Sequence, residues 1–189
     1  MLDHSLTAER ILSPLTLHSA ADARTAPASP GIYGWWIKKG TLEVPEAAYQ
    51  EQDGHQLLYV GISPRKPSAA GRASKGTLRD RLVTHVTKNA SQSTLRRTLG
   101  VLVTDELRLT LGVHGGREHY GQGEAFISRW LIENGRVAWA VDPQPWDAED
   151  KLLAHATLAL NLDGRSDAFA RSISARRKAA LAAARAAVL

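Results

Sequence analysis

Two short apolar runs, each with a tyrosine beside glycines, limit the fold of this chain more than anything else in its sequence. Residues 32–37 are apolar and aromatic, and residues 56–62 (QLLYVGI) form a second run with strand character. Asp53 and Gly54 offer turn chemistry directly before the second run. The pattern predicts an antiparallel hairpin, whose connection is long because residues 40–55 carry charges and a proline.

A helix is predicted after the second strand, beyond a basic loop rich in Pro, Gly, Ser and Ala. The Thr77 hydroxyl can cap the free backbone amide of Asp80, whose carboxylate suits the positive start of a helix. Leu78, Leu82 and Val86 recur at helical spacing. We therefore expect a helix that opens at Thr77 and buries this stripe.

Further elements are predicted from apolar periodicity along the rest of the chain. A strand covers residues 136–141, and helices cover residues 6–12, 93–103, 123–134, 149–160 and the stretch from 174 onward. The 123–134 helix is expected to end at a Gly135 cap and to present one apolar face made of Phe126, Ile127, Trp130 and Leu131. Asp147 is expected to cap the 149–160 helix, and residues 107–113 stay unassigned.

The charge of the chain is unevenly distributed. Residues 61–97 contain nine basic residues and one acid, and residues 171–189 contain five basic residues and no acid. These segments carry +8 and +5, which leaves −8 on the rest of a chain whose net charge is +5. Such a field draws a polyanion to one side and makes its binding salt-sensitive. A solvated basic surface that binds nothing is the alternative that charge alone leaves open.

Composition excludes several classes of protein. A length of 189 residues fits one domain, and 43% apolar residues are enough for a core. The absence of cysteine excludes disulfides, thiolate nucleophiles and cysteine-built zinc sites. No apolar stretch is long enough for a membrane span, and residues 1–10 hold acids without an apolar signal core. We therefore expect a soluble, cytoplasmic protein that is not exported.

Glu149 is a candidate metal ligand because of its place in the predicted 149–160 helix. Leu153, Ala156 and Leu160 follow it by 4, 7 and 11 residues, so its carboxylate shares the face expected to pack on the sheet. A carboxylate directed into a core is costly unless it is paired, protonated or bound to a cation. A divalent metal would satisfy it, and a simple contact with the helix dipole is the alternative.

Arg81 and His85 lie four residues apart on one flank of the stripe in the Thr77 helix. A guanidinium stays charged and offers a planar fork of donors, so the pair suits a phosphate oxygen. Two ordinary side chains of an amphipathic helix are the alternative. Arg79 falls on the opposite flank, where we expect a solvated surface charge.

The two strands each place a tyrosine beside glycine, in Gly31-Ile32-Tyr33 and in Tyr59-Val60-Gly61. Glycine allows a backbone or a ligand to approach closely. Either tyrosine taken alone is more often a half-buried aromatic side chain than a functional one.

Together these residues resemble the GIY-YIG nuclease superfamily. The motifs stand as GIY at 31–33 and YVG at 59–61, followed by the helix sequence LRDRLVTH, a helix glutamate and a downstream asparagine. Asn161 follows Glu149 by 12 residues, as expected for the family. The late arginines are also similar to the tail of a branch of stand-alone bacterial members.

The resemblance implies an α/β fold of the α+β sandwich type, in which helices flank a small three-stranded antiparallel sheet. It covers roughly residues 30–165, which would form the nuclease domain. Residues 1–29 would be an N-terminal arm, and residues 166–189 a C-terminal basic helix packed on the domain or extending it.

The resemblance also implies a catalytic site with both tyrosines facing a cleft. Glu149 would bind a single Mg²⁺ or Mn²⁺ ion, Tyr33 would deprotonate or orient the attacking water, and Tyr59 would assist or position it. The reaction would be in-line phosphodiester hydrolysis with the metal as Lewis acid. An unperturbed phenol, with a pKa of about 10, is a poor base, so a basic Tyr33 would need its pKa lowered.

The remaining implied contacts are with phosphate. Arg81 would hold the scissile phosphate, His85 would support that contact or the base, and Asn161 would brace the site or contact a phosphate. The partner would be duplex or branched DNA, with RNA as an alternative, and the oligomeric state stays open, a dimer included. The terminal basic helix and a basic surface are expected to grip the backbone; that surface is Arg65, Lys66, Arg72, Lys75, Arg79 and Lys88. A non-catalytic nucleic-acid-binding module with this fold, and a basic scaffold that binds no nucleic acid, are the rival hypotheses.

Overall fold

The computed structural model describes residues 3–45, 50–67 and 75–187. In chain order its elements are α1 (His4–Leu12), β1 (His18–Ser19), a 3₁₀ helix (Ala20–Thr25), β2 (Gly31–Lys38), β3 (Glu51–Gln52), β4 (His55–Ser63), α2 (Leu78–Thr87), α3 (Thr94–Leu102), α4 (Thr104–Leu107), β5 (Gly112–His114), β6 (Arg117–His119), α5 (Gly123–Asn134), β7 (Gly135–Val141), α6 (Pro145–His155) and α7 (Ala168–Ala186).

Five strands form the main sheet, in the order β1-β7-β2-β4-β3, and every pair in it is antiparallel. The predicted α+β class and the three central strands β7, β2 and β4 are confirmed, but the predicted count of three strands is wrong. The two added edge strands are two residues long, too short to show an alternating pattern. Strands β5 and β6 pair separately, in and just beyond the segment left unassigned.

The central strand β2 is buried on both faces. Tyr33, Trp35 and Ile37 join the larger core cluster together with residues of α2, α3 and α5. Ile32 and Trp36 point the other way and pack with residues of α1 and α6, because successive side chains of a strand alternate between faces. The sheet is therefore the middle layer between two groups of helices.

Strand β4 contains an extra residue next to Tyr59. Trp35 is paired with Tyr59 and Trp36 with Leu57, so Leu58 has no partner on β2. A β-bulge of this kind bends a strand and redirects its side chains. Leu58 and Tyr59 consequently both pack against the larger core cluster, which also holds Tyr33.

Helix α2 forms as the sequence predicts. The Thr77 hydroxyl accepts a hydrogen bond from the backbone amide of Asp80 at 3.2 Å, and the predicted stripe of Leu78, Leu82 and Val86 is buried. With this stripe buried, Arg81 lies on the flank next to the sheet, where it contacts Tyr33 of β2.

Helix α5 has the predicted bounds but differs from prediction in two details. Ile127, Trp130 and Leu131 are buried, whereas Phe126 is 46% exposed at the edge of that face. Gly135 ends the helix with an extended backbone rather than a left-handed cap. A side chain there would place its Cβ 2.5 Å from the Leu131 carbonyl oxygen, so close packing explains this glycine.

Helix α6 begins and ends earlier than predicted. Pro145 occupies its first turn and the helix stops at His155, so residues 156–160 lie outside it. Asp147 belongs to the first turn and is not the N-cap. The helix start is held instead by the buried carboxylate of Asp142, which accepts a hydrogen bond from the amide of Gln144 at 2.8 Å.

The terminal segments pack on this body. The predicted helix near residues 6–12 is confirmed as α1, whose His4 lies 2.8 Å from the Asp142 carboxylate. Helix α7 starts at Ala168, six residues before the predicted start, with Asp167 as its side-chain cap. In the part of the chain that the structure describes, no helix is both long and apolar enough to cross a membrane.

Candidate active site

Tyr33 is the buried centre of the candidate site. Its side chain is 1% exposed, and its hydroxyl oxygen lies 2.7 Å from Nε2 of His85. The Nε of Arg81 donates to the same oxygen at 3.4 Å. One strand and one helix thus bring three of the predicted residues into a single hydrogen-bonded group.

The glycines of the two tyrosine motifs provide space. A Cβ on Gly61 would lie 2.4 Å from the hydroxyl oxygen of Tyr33, its neighbour across the strands. A Cβ on Gly31 would lie 2.3 Å from the carbonyl oxygen of Ala140 and 2.6 Å from Leu78. Neither glycine has the positive φ that would require this residue type. Both are explained by close packing around the site.

His85 is held from its other side by Ser93. The Nδ1 of His85 lies 2.7 Å from the Ser93 hydroxyl, which also accepts the backbone amide of Arg96 at 3.1 Å. Burial lowers the pKa of His85 well below its usual range, and the positive charges of Arg81 and Arg96 act in the same direction. The ring is therefore neutral at pH 7, with one nitrogen that donates and one that accepts.

The hydrogen bonds around His85 fit two arrangements. In one, Ser93 donates to Nδ1 and Nε2 donates to Tyr33. In the other, Nδ1 donates to Ser93 and the Tyr33 hydroxyl donates to Nε2. The second arrangement makes His85 a proton acceptor for Tyr33.

Tyr59 lies beside this group and is half-buried. Its ring centre is 6.5 Å from that of Tyr33. Burial raises the pKa of Tyr59, and the nearby charge of Arg81 partly opposes this shift. The pKa of Tyr33 is also strongly raised, first by burial and then by the neighbouring Tyr59. Both phenols are therefore protonated at neutral pH.

Arg81 lines a cavity of about 200 Å³ between the end of β4 and the start of α2. Its Nη1 donates to the backbone carbonyl of Gln92 at 3.0 Å, which holds the guanidinium in place. Arg65 and Thr84 line the same cavity. The guanidiniums of Arg81 and Arg65 outnumber the Asp80 carboxylate that also lines this cavity, so the cavity suits a phosphate group.

Glu149 lines a second cavity, of about 290 Å³, together with Tyr59 and Asn161. The structure corrects the reason for its burial. The buried face of α6 holds Ala148 and Leu152, while Glu149 and Leu153 lie on the side that borders the cavity.

The Glu149 carboxylate is unpaired within the described residues, where no hydrogen bond or ion pair reaches it. Burial raises its pKa to about 7, and the negative charge of Asp150 adds to this shift. An unpaired, mostly buried carboxylate at the wall of a polar cavity is a group that a cation would stabilise.

Asn161 holds the free edge of β4 beside Tyr59. Its Oδ1 accepts the backbone amide of Val60 at 2.8 Å, and its Nδ2 donates to the Val60 carbonyl at 2.8 Å. The amide of Leu160 donates to the carbonyl of the bulge residue Leu58 at 2.9 Å. The asparagine therefore replaces part of a missing neighbouring strand and braces the backbone that carries Tyr59.

These residues fit a single divalent cation better than a multi-ligand metal centre. Within the described ranges, no three His, Cys, Asp or Glu side chains are grouped in a way that could hold a metal ion. Mg²⁺ is commonly bound through one or two carboxylates, with the remaining positions filled by water and substrate phosphate oxygens. Glu149, at the wall of an open cavity, could supply one carboxylate to such an ion.

Some of the basic residues predicted to contact nucleic acid are exposed, and others already contact protein groups. Arg65, Lys66, Lys75 and Lys88 are exposed, and Lys66 lies 3.4 Å from Asp150. Arg79 is exposed but donates from Nε to the Ala26 carbonyl at 2.9 Å, so the expected purely solvated charge is anchored to the body. Arg72 lies outside the described residues.

Two arginines of the basic segment 61–97 form ion pairs within the protein. Arg96 is fully buried, with Nη2 2.7 Å from the Glu124 carboxylate. Arg97 lies 2.8 Å from Glu118. The sequence count of nine basic residues in this segment therefore overstates the charge available to a polyanion.

Three side chains at or behind the site were not recognised from the sequence. Ser93 and Arg96 support His85 from behind, and Arg177 of α7 lines the cavity that contains Glu149. The local signals were the position of Ser93 at the start of the predicted 93–103 helix and the arginine content of the tail. Neither signal shows that packing would bring these residues to the tyrosines.

The comparison with protein families gives one match. The family model for the GIY-YIG catalytic domain matches residues 31–182, well over half of the chain. The match begins at the first tyrosine motif and extends through most of α7. No curated protein and no solved structure matches the chain.

Proposed function

The chain belongs to the GIY-YIG catalytic domain family, and on that premise we propose that it is a metal-dependent endonuclease that hydrolyses DNA phosphodiester bonds. One observation carries the proposal: the unpaired Glu149 carboxylate shares a cavity with Tyr59, next to the group formed by Tyr33, His85 and Arg81. Carboxylate, phenols and guanidinium are the groups that hydrolysis of a phosphodiester requires.

Tyr33 and His85 would activate the attacking water together. The strongly raised pKa of Tyr33 means that a free phenolate is not populated at neutral pH. Tyr33 can still accept a proton from water if its own proton passes at the same time to Nε2 of His85, 2.7 Å away. In this relay the water oxygen bonds to phosphorus as its proton passes to Tyr33, and the positive charge moves to His85, so no isolated buried phenolate forms. Tyr59, half-buried at the cavity wall, would position the water.

Arg81 would bind the scissile phosphate. Its guanidinium borders the first cavity and donates to Tyr33, so a phosphate bound there lies beside the activated water. Charge on the phosphate oxygens grows during an in-line displacement, and a fixed cation stabilises that charge. Asn161 would act by holding the β4 backbone next to Tyr59.

Glu149 would hold the divalent metal. When bound, Mg²⁺ or Mn²⁺ supplies Lewis-acid stabilisation of the phosphate and the leaving group. The exposed cations Arg65, Lys66 and Lys75 would contact neighbouring backbone phosphates, which gives affinity without sequence specificity.

The proposal is tested by incubating the purified protein with duplex, flapped, branched and single-stranded DNA, and with RNA, in Mg²⁺ or Mn²⁺ and in EDTA. We expect cleavage of a DNA substrate that depends on metal and stops in EDTA. Salt-sensitive binding without cleavage of any substrate would instead identify a non-catalytic nucleic-acid-binding protein. Cleavage of RNA alone would support a nuclease whose substrate is RNA and not DNA.

A further inference from the structure

Arg177 of α7 is a half-buried cation at the wall of the Glu149 cavity. Within the described part of the chain, its guanidinium has no hydrogen bond and no contact ion pair. A guanidinium offers five N–H donors, and leaving them partly desolvated without acceptors is unfavourable. This position is therefore suited to an anion supplied from outside the protein.

The neighbouring arginines, unlike Arg177, have acceptors among the described residues. Arg97 lies 2.8 Å from Glu118, and Arg176 donates to the backbone carbonyl of Val101 at 2.7 Å. Burial lowers the pKa of Arg177, and the positive charge of Arg97 adds to this effect. The exposed Asp163 lines the same cavity and attracts Arg177 from a distance.

Arg81 contacts the Tyr33 hydroxyl, whereas Arg177 borders the cavity that Tyr59 lines. Arg81 borders the first cavity, and Arg177 borders the second, which Tyr59 and Glu149 also line. A polynucleotide strand presents negatively charged phosphates at regular intervals. Since Glu149 and Arg177 line one cavity, a strand whose scissile phosphate is held by Arg81 beside Glu149 has its neighbouring phosphate available to Arg177.

We propose that Arg177 binds the phosphate adjacent to the scissile one, and so makes the enzyme select a continuous polynucleotide strand. The inference rests on the proposed nuclease function. It assigns a substrate contact to α7 that the general basic charge of the tail does not specify. Thr94, the first residue of α3, lines the same cavity and offers a hydroxyl donor to the same phosphate.

Two neighbouring residues on α7 allow a matched test. Arg177→Gln and Lys178→Gln each remove one positive charge, but Lys178 is exposed and is not among the residues lining the cavity. Both changes are made in a Glu149→Gln background, and binding of a duplex and a single-stranded DNA oligonucleotide is measured by fluorescence anisotropy over a range of salt. The same two changes are made in the wild-type chain to measure the cleavage rate.

We expect Arg177→Gln to weaken binding about tenfold, as for the loss of one charge-assisted contact. The slope of log Kd against log salt should fall by about 0.7 to 0.9, as for one lost phosphate contact. Lys178→Gln should change affinity less than about twofold, and Arg177→Lys should restore the salt slope but only part of the affinity.

Equal effects of Arg177→Gln and Lys178→Gln would overturn the assignment, because they would show that only the total charge of the helix matters. Unchanged cleavage by Arg177→Gln in an active enzyme would overturn it as well. If the wild-type chain cleaves no nucleic acid, the nuclease proposal fails. The salt slopes then still decide whether Arg177 binds phosphate.

Discussion

The hydroxyl oxygen of Tyr33 lies 2.7 Å from Nε2 of His85, and both side chains are almost completely buried. A phenol with a strongly raised pKa thus contacts an imidazole whose pKa is lowered. The imidazole is neutral at pH 7 and can accept the phenol proton while the phenol takes one from water, which places the positive charge on His85.

Substituting Tyr33→Phe removes this proton path while retaining the ring. We predict that the rate of DNA cleavage falls by at least about a hundredfold, the usual range for loss of a general base. Circular dichroism and DNA affinity should change little. Tyr120→Phe is the matched control, since Tyr120 is also buried but its hydroxyl donates to the Arg97 carbonyl and not to the group of Tyr33, His85 and Arg81. A Tyr33→Phe enzyme with normal cleavage would exclude the relay.

Substituting Gly61→Ala should disrupt the site by a steric clash, since Gly61 does not have a backbone conformation that requires glycine. The new Cβ would lie 2.4 Å from the Tyr33 hydroxyl oxygen, so the Tyr33 side chain or the β4 backbone must move. We expect a loss of about 1 to 3 kcal/mol in the free energy of unfolding, together with loss of cleavage. In Gly112→Ala the nearest contact is an ordinary 3.6 Å, so this control should be tolerated. Equal melting temperatures for the two variants would contradict the packing explanation.

The Glu149 carboxylate should make the metal-free protein less stable as the pH rises. Its folded-state pKa of about 7 is above the unfolded value of 4.5, so the folded state holds the proton more tightly between these values. Stability associated with this group is present below pH 4.5 and is lost as the pH rises through about 7.

Glu149→Gln removes this dependence. In EDTA, we predict that the variant melts about 2 to 6 °C above the wild type at pH 8, for a gain of about 1 to 2 kcal/mol after solvent screening, and close to it at pH 5. Glu133→Gln is the control, because Glu133 is an exposed carboxylate on α5 that does not line the Glu149 cavity. A gain of the same size at both pH values would show that the effect does not come from ionisation of Glu149.

Arg96 should stabilise the fold far more than its neighbour Arg97. It is fully buried and donates to Glu124, Ser128 and two carbonyls at the end of α2. We predict that Arg96→Ala lowers the free energy of unfolding by about 3 to 5 kcal/mol, since it leaves Glu124 without its buried partner.

Arg97→Ala is the comparison for this change. Arg97 lies 2.8 Å from Glu118 without an aligned hydrogen bond, so the expected loss is about 1 kcal/mol. Urea denaturation of the two variants measures the difference. Comparable losses would show that Arg96 is not the support for α2 and His85 that its contacts indicate.

Local patterns predicted much of the fold. The cap at Thr77 and the stripe of α2 were readable because both depend on residues within one or two turns. Helix α5 and the three central strands were readable for the same reason. The two-residue edge strands and the early end of α6 could not be predicted from the sequence. Their positions depend on tertiary packing and not on residue periodicity.

The candidate site was only partly readable. Residue type and order along the chain were enough to select the tyrosine motifs, Arg81, His85, Glu149 and Asn161 as candidates. The positions of Ser93 and Arg177 depend on how α3 and α7 pack against the sheet. The reason for Gly61 also required the structure, since it is the distance to a hydroxyl on the neighbouring strand.

The most direct measurement is the initial rate of DNA cleavage at saturating Mg²⁺ for the wild type, Glu149→Gln and Asp150→Asn. The two variants remove adjacent carboxylates, one at the cavity and one exposed to solvent. We predict that Glu149→Gln abolishes cleavage and retains DNA binding, while Asp150→Asn remains active. Undiminished cleavage by Glu149→Gln would contradict the proposed metal site.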